Sequence, residues 1–221
     1  MSKVILLHGA GANASQMRRL ERALEAQGFM PIAISYESDA VLSAMIAELA
    51  AKVKEVPLAG KTHVVGHSMG GLLGRAVVMM LPEAHRGRLV QIASPNRGAE
   101  RIGWIPRPWM VRRHVSQGYF EIARGSPSLD LLPVPTCEVG IVCGTRRVDL
   151  RVPTSLGILA ASLVFRTERK EPSDGAVSFG ETDLPGMRDR ISLPYAHDWL
   201  PQAKETAVQV GHFLRMGAFR R

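Results

Sequence analysis

Three features that the sequence lacks each exclude a class of protein. Only 5% of the 221 residues are aromatic, and no run of Lys and Arg is interleaved with aromatics, which argues against nucleic-acid binding. The uncharged stretch at 152–165 is too short for a membrane span, which needs about 20 residues, and it contains Pro153 and Gly157. We expect this stretch to be a buried segment or a flap that faces the substrate.

Cysteine is scarce as well, because the chain has only Cys137 and Cys143. They lie six residues apart in "CEVGIVC", a predicted strand, and would face the same side at about 20 Å, too far for a disulfide. We expect two reduced core residues in a cytoplasmic protein. The opening "MSKVILLHGAG" has no small-residue cleavage site, so it predicts a first strand rather than a secretory signal.

The length and composition are those of an ordinary globular protein. The chain is 46% hydrophobic and 22% charged, and its 221 residues fit one domain, 1–221. The net charge of +8 favours anionic surfaces or substrates. We expect a small-molecule partner and no nucleic acid. Contact with a membrane surface is compatible with the charge but not required, and the oligomeric state is left open.

Strands and helices alternate regularly through the first 95 residues. Apolar strands are predicted at 4–7, 30–36, 62–65 and 88–94, with amphipathic helices between them. Asn13 and Asp39 are the predicted helix N-caps, and Gln16 stands three residues after Asn13. This alternation predicts an α/β fold: a mostly parallel sheet of about six strands with helices on both faces.

The alternation breaks at 96–135, which we interpret as an irregular lid-like insert. Trp104, Trp109 and Met110 are possible walls for an acyl chain there, although ordinary packing under a long loop explains them equally well. A strand at 138–144, a short strand at 190–194 and a final helix at 202–216 complete the prediction.

The stretch "VVGHSMGG" (64–71) places Ser68 where the third strand passes into a helix. A sharp turn there displays the hydroxyl beyond the carboxyl end of the strand, while Gly66 and Gly70 leave room for strand and helix to pack closely. The Met69 N–H, at the helix start, can stabilise negative charge on a substrate oxygen. Ser68 is therefore a candidate nucleophile.

A serine nucleophile needs a base and an acid that orients the base. His197 alone among the later histidines follows a predicted strand in a loop, "ISLPYAHDW", whereas His212 lies within the last helix. For the acid, Asp174 in the "PSDGAV" turn is favoured, and Asp149 after the fifth strand is the alternative. Asp183 and Asp189 are interpreted as surface residues.

The loop after the first strand, "LLHGAGAN", should supply a second donor to the substrate oxygen. Gly9 and Gly11 flank Ala10 and free the backbone so that the Ala10 N–H can face the cleft. We expect His8 to fix this loop through its ring nitrogens.

These motifs carry a family resemblance over nearly the whole chain. "LLHGAG", "GHSMGG", "SDGAV" and "YAHDWL" resemble the oxyanion loop, nucleophile elbow, acid turn and histidine loop of small bacterial esterases and lipases of the α/β-hydrolase fold. The resemblance implies a Ser68–His197–Asp174 triad with Ala10 and Met69 as backbone donors, and neither cofactor nor metal. We expect the one or two antiparallel strands that open larger relatives to be absent, and the insert is shorter than a full lipase lid.

The function that follows is ester hydrolysis through an acyl-enzyme intermediate. Thioester hydrolysis, amide hydrolysis and acyl transfer could use the same triad. A binding protein that has kept the fold without turnover is the alternative from another class.

Overall fold

One parallel sheet organises the protein. The computed structural model describes residues 1–100, 102, 117–148 and 171–221. Within these ranges six strands pair parallel in the order β2-β1-β3-β4-β5-β6. The predicted sheet of about six strands is confirmed, and the described strands are parallel throughout. They are β1 (Lys3–Leu7), β2 (Met30–Ile34), β3 (Thr62–His67), β4 (Arg86–Ile92), β5 (Val139–Gly144) and β6 (Asp189–Leu193).

Helices cover both faces of this sheet. In chain order they are α1 (Arg18–Glu25), α2 (Leu42–Lys54), α3 (Met69–Met80), the short α4 (Gln117–Glu121) and α5 (Pro127–Asp130) of the insert, and α6 (Lys204–Met216). Short 3₁₀ helices span Ala14–Met17, Gly180–Thr182 and His197–Gln202.

The alternation of side chains along β1 shows why the sheet is covered twice. Val4 and Leu6 belong to the core that α1 and α6 close, while Ile5 and Leu7 belong to the core under α2 and α3. Successive strand residues point to opposite faces, so a strand buried on both sides is apolar without interruption.

One predicted helix cap is confirmed and another is wrong. Asn13 Oδ1 accepts the Ser15 N–H at 2.9 Å and caps the first 3₁₀ helix. Asp39 does not cap α2, which begins at Leu42. The Leu42 N–H donates instead to the carboxylate of Glu121 from the insert. A carboxylate is favourable at the positive end of the helix dipole. Because Glu121 is far from Leu42 in the sequence, the local sequence pattern does not reveal this cap.

The strand order places a cleft at the ends of β1 and β3. From β1 the chain crosses to β2 on one side, and then returns to β3 on the other side of β1. Ligands of open parallel sheets bind at such a reversal, beyond the carboxyl ends of the strands. The loop from Gly9 and the turn at Ser68 both start at this position.

The described parts of the insert are tied to the body of the fold. The Arg97 N–H donates to Glu181 O at 3.0 Å, and the Arg75 guanidinium of α3 donates to the carbonyls of Leu132 and Pro133. Asp149, Trp104, Trp109, Met110 and the stretch 152–165 lie outside the described residues.

Two further predictions can be compared with the structure. Cys137 and Cys143 are free thiols, and Cys143 is buried in β5 as expected. The prediction for Cys137 is wrong, because this residue is half-buried and precedes β5, which begins at Val139. Across the described ranges, none of the helices combines the length and apolar character that crossing a bilayer requires. The prediction of a single domain over 1–221 stays a prediction.

Candidate active site

Ser68 lies in a strained turn between β3 and α3. Its φ of +52° is rare for a residue with a side chain, and such conformations cost about 1–3 kcal/mol. The surroundings hold this backbone conformation. The Ser68 N–H donates to Ile92 O at 2.8 Å, and α3 begins at the next residue, Met69. A strained backbone that the surroundings enforce is typical of a functional position.

The glycines around Ser68 are required by close backbone contacts. A Cβ on Gly66 would lie 2.2 Å from Gly70 O, and a Cβ on Gly70 would lie 2.2 Å from His8 O. Any side chain at either position would overlap backbone atoms. The glycines therefore let α3 begin against the ends of both β3 and β1, as the sequence predicts for this turn.

Asp174 and His197 form a buried hydrogen-bonded pair. The His197 Nδ1 lies 2.7 Å from Asp174 Oδ2, and the His197 backbone N–H donates to Asp174 O at 3.0 Å. The other carboxylate oxygen accepts the N–H groups of Ala176 and Val177 at 2.9 and 2.7 Å. With Nδ1 committed to the carboxylate, Nε2 is the ring nitrogen left to accept a proton.

Electrostatics in this pair favour a proton on the imidazole. Burial lowers the pKa of His197, but the Asp174 carboxylate beside the ring outweighs burial and leaves the pKa above its ordinary value. Asp174 is 1% exposed, so water screens this interaction poorly. The arrangement stabilises the imidazolium that forms when a base takes up a proton.

The histidine loop rests on the elbow through His67. The rings of His67 and His197 have centroids 4.7 Å apart, and His67 Nε2 lies 3.1 Å from His197 O. Burial lowers the pKa of His67 to about 3, so this ring stays neutral near pH 7. His67 thus brings the segment that carries His197 next to Ser68.

Ser68 and His197 are linked through His67 and are not hydrogen-bonded to each other. Within the described chain no hydrogen bond joins Ser68 Oγ to His197 Nε2, and each residue is 8% exposed. Catalytic hydrogen bonds are often long before substrate binds. Both residues keep a small accessible surface, whereas Asp174 is shielded.

Two backbone donors lie free beside the serine. In the loop after β1, the Gly9 N–H donates to Gln16 Oε1 at 2.8 Å, the Gly11 N–H to Ser38 Oγ at 3.0 Å, and the Ala12 N–H to Gly9 O. The Ala10 N–H has no acceptor among the described residues. The same is true of the N–H of Met69, the first residue of α3, where the helix dipole adds positive potential.

His8 holds this loop as the sequence suggested. Its Nε2 accepts the Tyr36 N–H at 3.2 Å, so Nδ1 carries the proton and donates to Gly9 O at 2.8 Å. The ring stacks on Tyr36 at 4.2 Å, and the tyrosine hydroxyl donates to His8 O. Burial lowers the pKa of His8, which keeps the ring neutral.

The structure places the other candidates away from this site or in ion pairs. Asp183 pairs with Arg97 and Arg190, and Asp189 pairs with Arg221. His212 bonds Ala218 O within the C-terminal segment. Asp149, the alternative acid, lies outside the described residues, so its role stays open.

Sequence reasoning missed two polar residues that support the site. Gln16, interpreted as part of a helix start, contacts Gly9 and His67 instead. Glu181 is buried, and its carboxylate accepts the N–H groups of Glu100 and Ser178 at 2.7 and 2.6 Å, which joins the insert to the acid turn. Neither residue belongs to a short motif, so no local signal identifies them.

The described residues do not suggest a metal centre. In residues 1–100, 102, 117–148 and 171–221, no three His, Cys, Asp or Glu side chains are grouped so that they could hold an ion. The expectation that the protein needs no metal or cofactor stays a prediction.

A match to a family model shows which protein family the chain belongs to. The model described as palmitoyl protein thioesterase matches residues 3–125, more than half of the 221 residues. The chain belongs to the palmitoyl protein thioesterase family. The match covers the loop after β1 and the turn at Ser68 of this family member and ends before Asp174 and His197. A comparison with curated proteins finds no significant match.

Solved structures place this thioesterase-family chain in the α/β-hydrolase fold. It is similar to the mature lipase BlEst2 from Bacillus licheniformis at 14% identity and a TM-score of 0.75, with 97% of this chain and 91% of the lipase covered. A metagenomic carboxyl esterase, MGS0156, is similar at 15% identity and a TM-score of 0.65, with coverage of 88% and 64%. At these identities the likeness shows the fold alone.

Proposed function

We propose that the protein is a serine hydrolase that cleaves a carboxylic ester through an acyl-enzyme. The observation that carries the proposal is the buried 2.7 Å contact between Asp174 and His197, next to a serine at a φ of +52°. A carboxylate, an imidazole and a displayed hydroxyl in this order form the constellation of acyl-transfer catalysis.

Each residue has a defined task in this mechanism. Ser68 Oγ attacks the acyl carbon while His197 Nε2 takes its proton, and the N–H groups of Ala10 and Met69 bind the oxyanion. His197 then gives the proton to the leaving oxygen. Water, activated by His197, attacks the acyl-serine and releases the acid, so Ser68 regains its proton. Asp174 holds the ring and stabilises its charge in both steps.

A thioester is the second candidate substrate, favoured by one observation. The family model is that of palmitoyl protein thioesterases. The steps are the same, except that His197 protonates a thiolate, which leaves more readily than an alkoxide. The solved lipase and esterase support the oxygen ester, so the two substrates need direct comparison.

The test compares oxygen and sulfur esters of the same acid. Initial rates are measured on p-nitrophenyl butyrate, octanoate and palmitate and on S-acyl N-acetylcysteamine thioesters of the same chains. We expect turnover of both classes, and the class with the higher kcat/KM identifies the preferred bond. Ser68→Ala should lower kcat by about 10⁶-fold, since residues of a triad act as a unit.

The control is the folded state of the variant. Ser68→Ala should keep the circular dichroism spectrum of the wild type. Its Tm should equal or slightly exceed that of the wild type, because the smaller alanine fits the same turn. A variant that turns over near the wild-type rate would refute the mechanism. A folded wild type that hydrolyses none of these esters would favour the non-catalytic binding protein.

Location and partners follow from the same residues. The two free cysteines support a reducing compartment, and we propose a cytoplasmic location. A small-molecule ester is the proposed partner, and an acyl lipid is compatible with the positive charge.

A further inference from the structure

The Ala10 N–H belongs to a peptide unit that is held on both sides. Gly9 O accepts from His8 Nδ1 at 2.8 Å and from the Ala12 N–H at 3.4 Å. Because a trans peptide is planar, fixing Gly9 O also fixes the direction of the Ala10 N–H on the opposite side. The preceding Gly9 N–H is bound by Gln16 Oε1. Gly9 is free to rotate unless both of its backbone groups are held.

Gln16 also reaches the elbow. Its Oε1 lies 3.2 Å from His67 Nδ1, and the other nitrogen of that ring lies 3.1 Å from His197 O. Because the neutral ring carries a single N–H, it donates to one of these two oxygens and only packs against the other. The backbone carbonyl of Gln16 accepts from Gln202 Nε2 at 2.7 Å, and Gln202 ends the 3₁₀ helix that His197 begins. One glutamine therefore contacts the oxyanion loop, the residue before Ser68 and the histidine segment.

The packing around Gly9 makes this contact demanding. A Cβ on Gly9 would lie 2.9 Å from His67 Nδ1 and 3.4 Å from the Ser68 Cβ, so the loop lies directly against the elbow. A small displacement of Gly9 would move the Ala10 N–H relative to the serine. Displacements of about 1 Å in a catalytic arrangement can cost about 10²-fold in rate.

We propose that Gln16 is a positioning residue, which sets the Ala10 N–H as an oxyanion donor by holding the Gly9 N–H where Gly9 packs against His67. This inference rests on the proposed serine-hydrolase function. Gln16 touches no reacting atom in this account. Its contribution is expressed when negative charge develops on the substrate oxygen, and it should therefore affect kcat more than KM.

The experiment compares Gln16→Leu with Gln16→Glu. Leucine has a similar size but offers no acceptor, whereas glutamate keeps an oxygen at the same reach. On p-nitrophenyl butyrate we expect Gln16→Leu to lower kcat about 10- to 100-fold, with KM within about twofold of the wild type. We expect Gln16→Glu to recover most of the lost kcat. Removal of a whole oxyanion donor costs about 10²–10³-fold, which bounds the effect from above.

Asn13→Ala is the matched control. It removes the cap of the same 3₁₀ helix and leaves the Gln16 side chain in place, so it should lower Tm without lowering kcat. Equal kcat losses in Asn13→Ala and Gln16→Leu would overturn the proposal, because helix destabilisation would then explain both. Wild-type kcat in Gln16→Leu would overturn it as well.

Failure of the inference and failure of the function are distinguishable. If the wild type does not hydrolyse esters, the proposed function fails and the positioning role fails with it. If the wild type is active and loses activity in Ser68→Ala but not in Gln16→Leu, only the positioning role is wrong.

Discussion

The two sides of the site are built by different physical means. On the elbow side, Ser68 and the oxyanion loop follow adjacent buried strands, and glycines bring their backbones into contact. On the other side, Asp174 and His197 lie in irregular segments that hydrogen bonds join across the sequence. The first side is positioned by the sheet itself, and the second by side chains that find backbone partners.

The two sides should therefore respond differently to substitutions. Backbone contacts on the elbow side belong to the core, so disturbing them should reduce stability together with activity. On the acid–histidine side, single hydrogen bonds set the geometry, and removing one should reduce activity with less effect on the fold. Substitutions on the two sides should therefore separate a loss of stability from a loss of activity.

Among substitutions that leave Ser68 in place, the largest effect is expected from Asp174→Asn. The amide keeps the shape but removes the charge that orients and stabilises the His197 imidazolium, and a comparable change in other triads costs about 10⁴-fold in kcat. Hydrolysis of p-nitrophenyl butyrate measures it. Asp183→Asn, which breaks only ion pairs with arginines, is the control and should keep wild-type kcat. If Asp149→Asn were crippled and Asp174→Asn were active, the acid would be Asp149.

Replacing one glycine on each side compares the two directly. In Gly66→Ala the new Cβ would lie 2.2 Å from the backbone of α3, whereas in Gly144→Ala it would lie 2.5 Å from the Asp174 Cβ and Tyr195 O, both in irregular segments. Overpacking costs about 1–3 kcal/mol, or about 2–4 °C in Tm for each kcal/mol at this size.

We expect Gly66→Ala to show the larger loss of Tm. Gly144→Ala should lose less stability, since a turn can shift, but should lower kcat more than tenfold because the shift moves Asp174. Thermal unfolding and steady-state rates on the same samples measure both. A larger Tm loss in Gly144→Ala, with kcat unchanged, would contradict the distinction between the two sides.

The smallest effect is a shift in the pH profile. His197 must be neutral to accept the serine proton, and its pKa is raised above 6.5 by Asp174. The wild-type kcat/KM should therefore fall as pH decreases, with a midpoint above about 6.5. In Asp174→Asn burial, which lowers the pKa of His197, is opposed only by the Asp198 carboxylate, the smallest of the causes that raise this pKa, so the midpoint should move to lower pH. If the midpoint did not move, the fall in kcat/KM at low pH would not arise from the Asp174–His197 pair.

The sequence predicts the elbow side well and the other side less completely. Uninterrupted apolar strands and the glycines around Ser68 are local signals, and parallel strand pairing and close packing follow from them. The cap of α2 by Glu121 and the contacts of Gln16 and Glu181 are long-range. No pattern within a window of residues encodes which distant backbone group a polar side chain will meet.

The prediction of Asp174 depended on chain order and turn chemistry. The Asp-Gly turn is present, with Gly175 at a φ of +100°, and it meets His197 as the order Ser, Asp, His requires. The competing Asp149 could not be set aside on these grounds, because it also follows a strand.

Labelling with a fluorophosphonate probe tests directly whether Ser68 is an activated nucleophile. We expect one phosphonyl group per folded chain, on the peptide that contains Ser68, and none in Ser68→Ala. A folded wild type that gains no adduct, or one that gains it at another residue and keeps it in Ser68→Ala, would contradict the account.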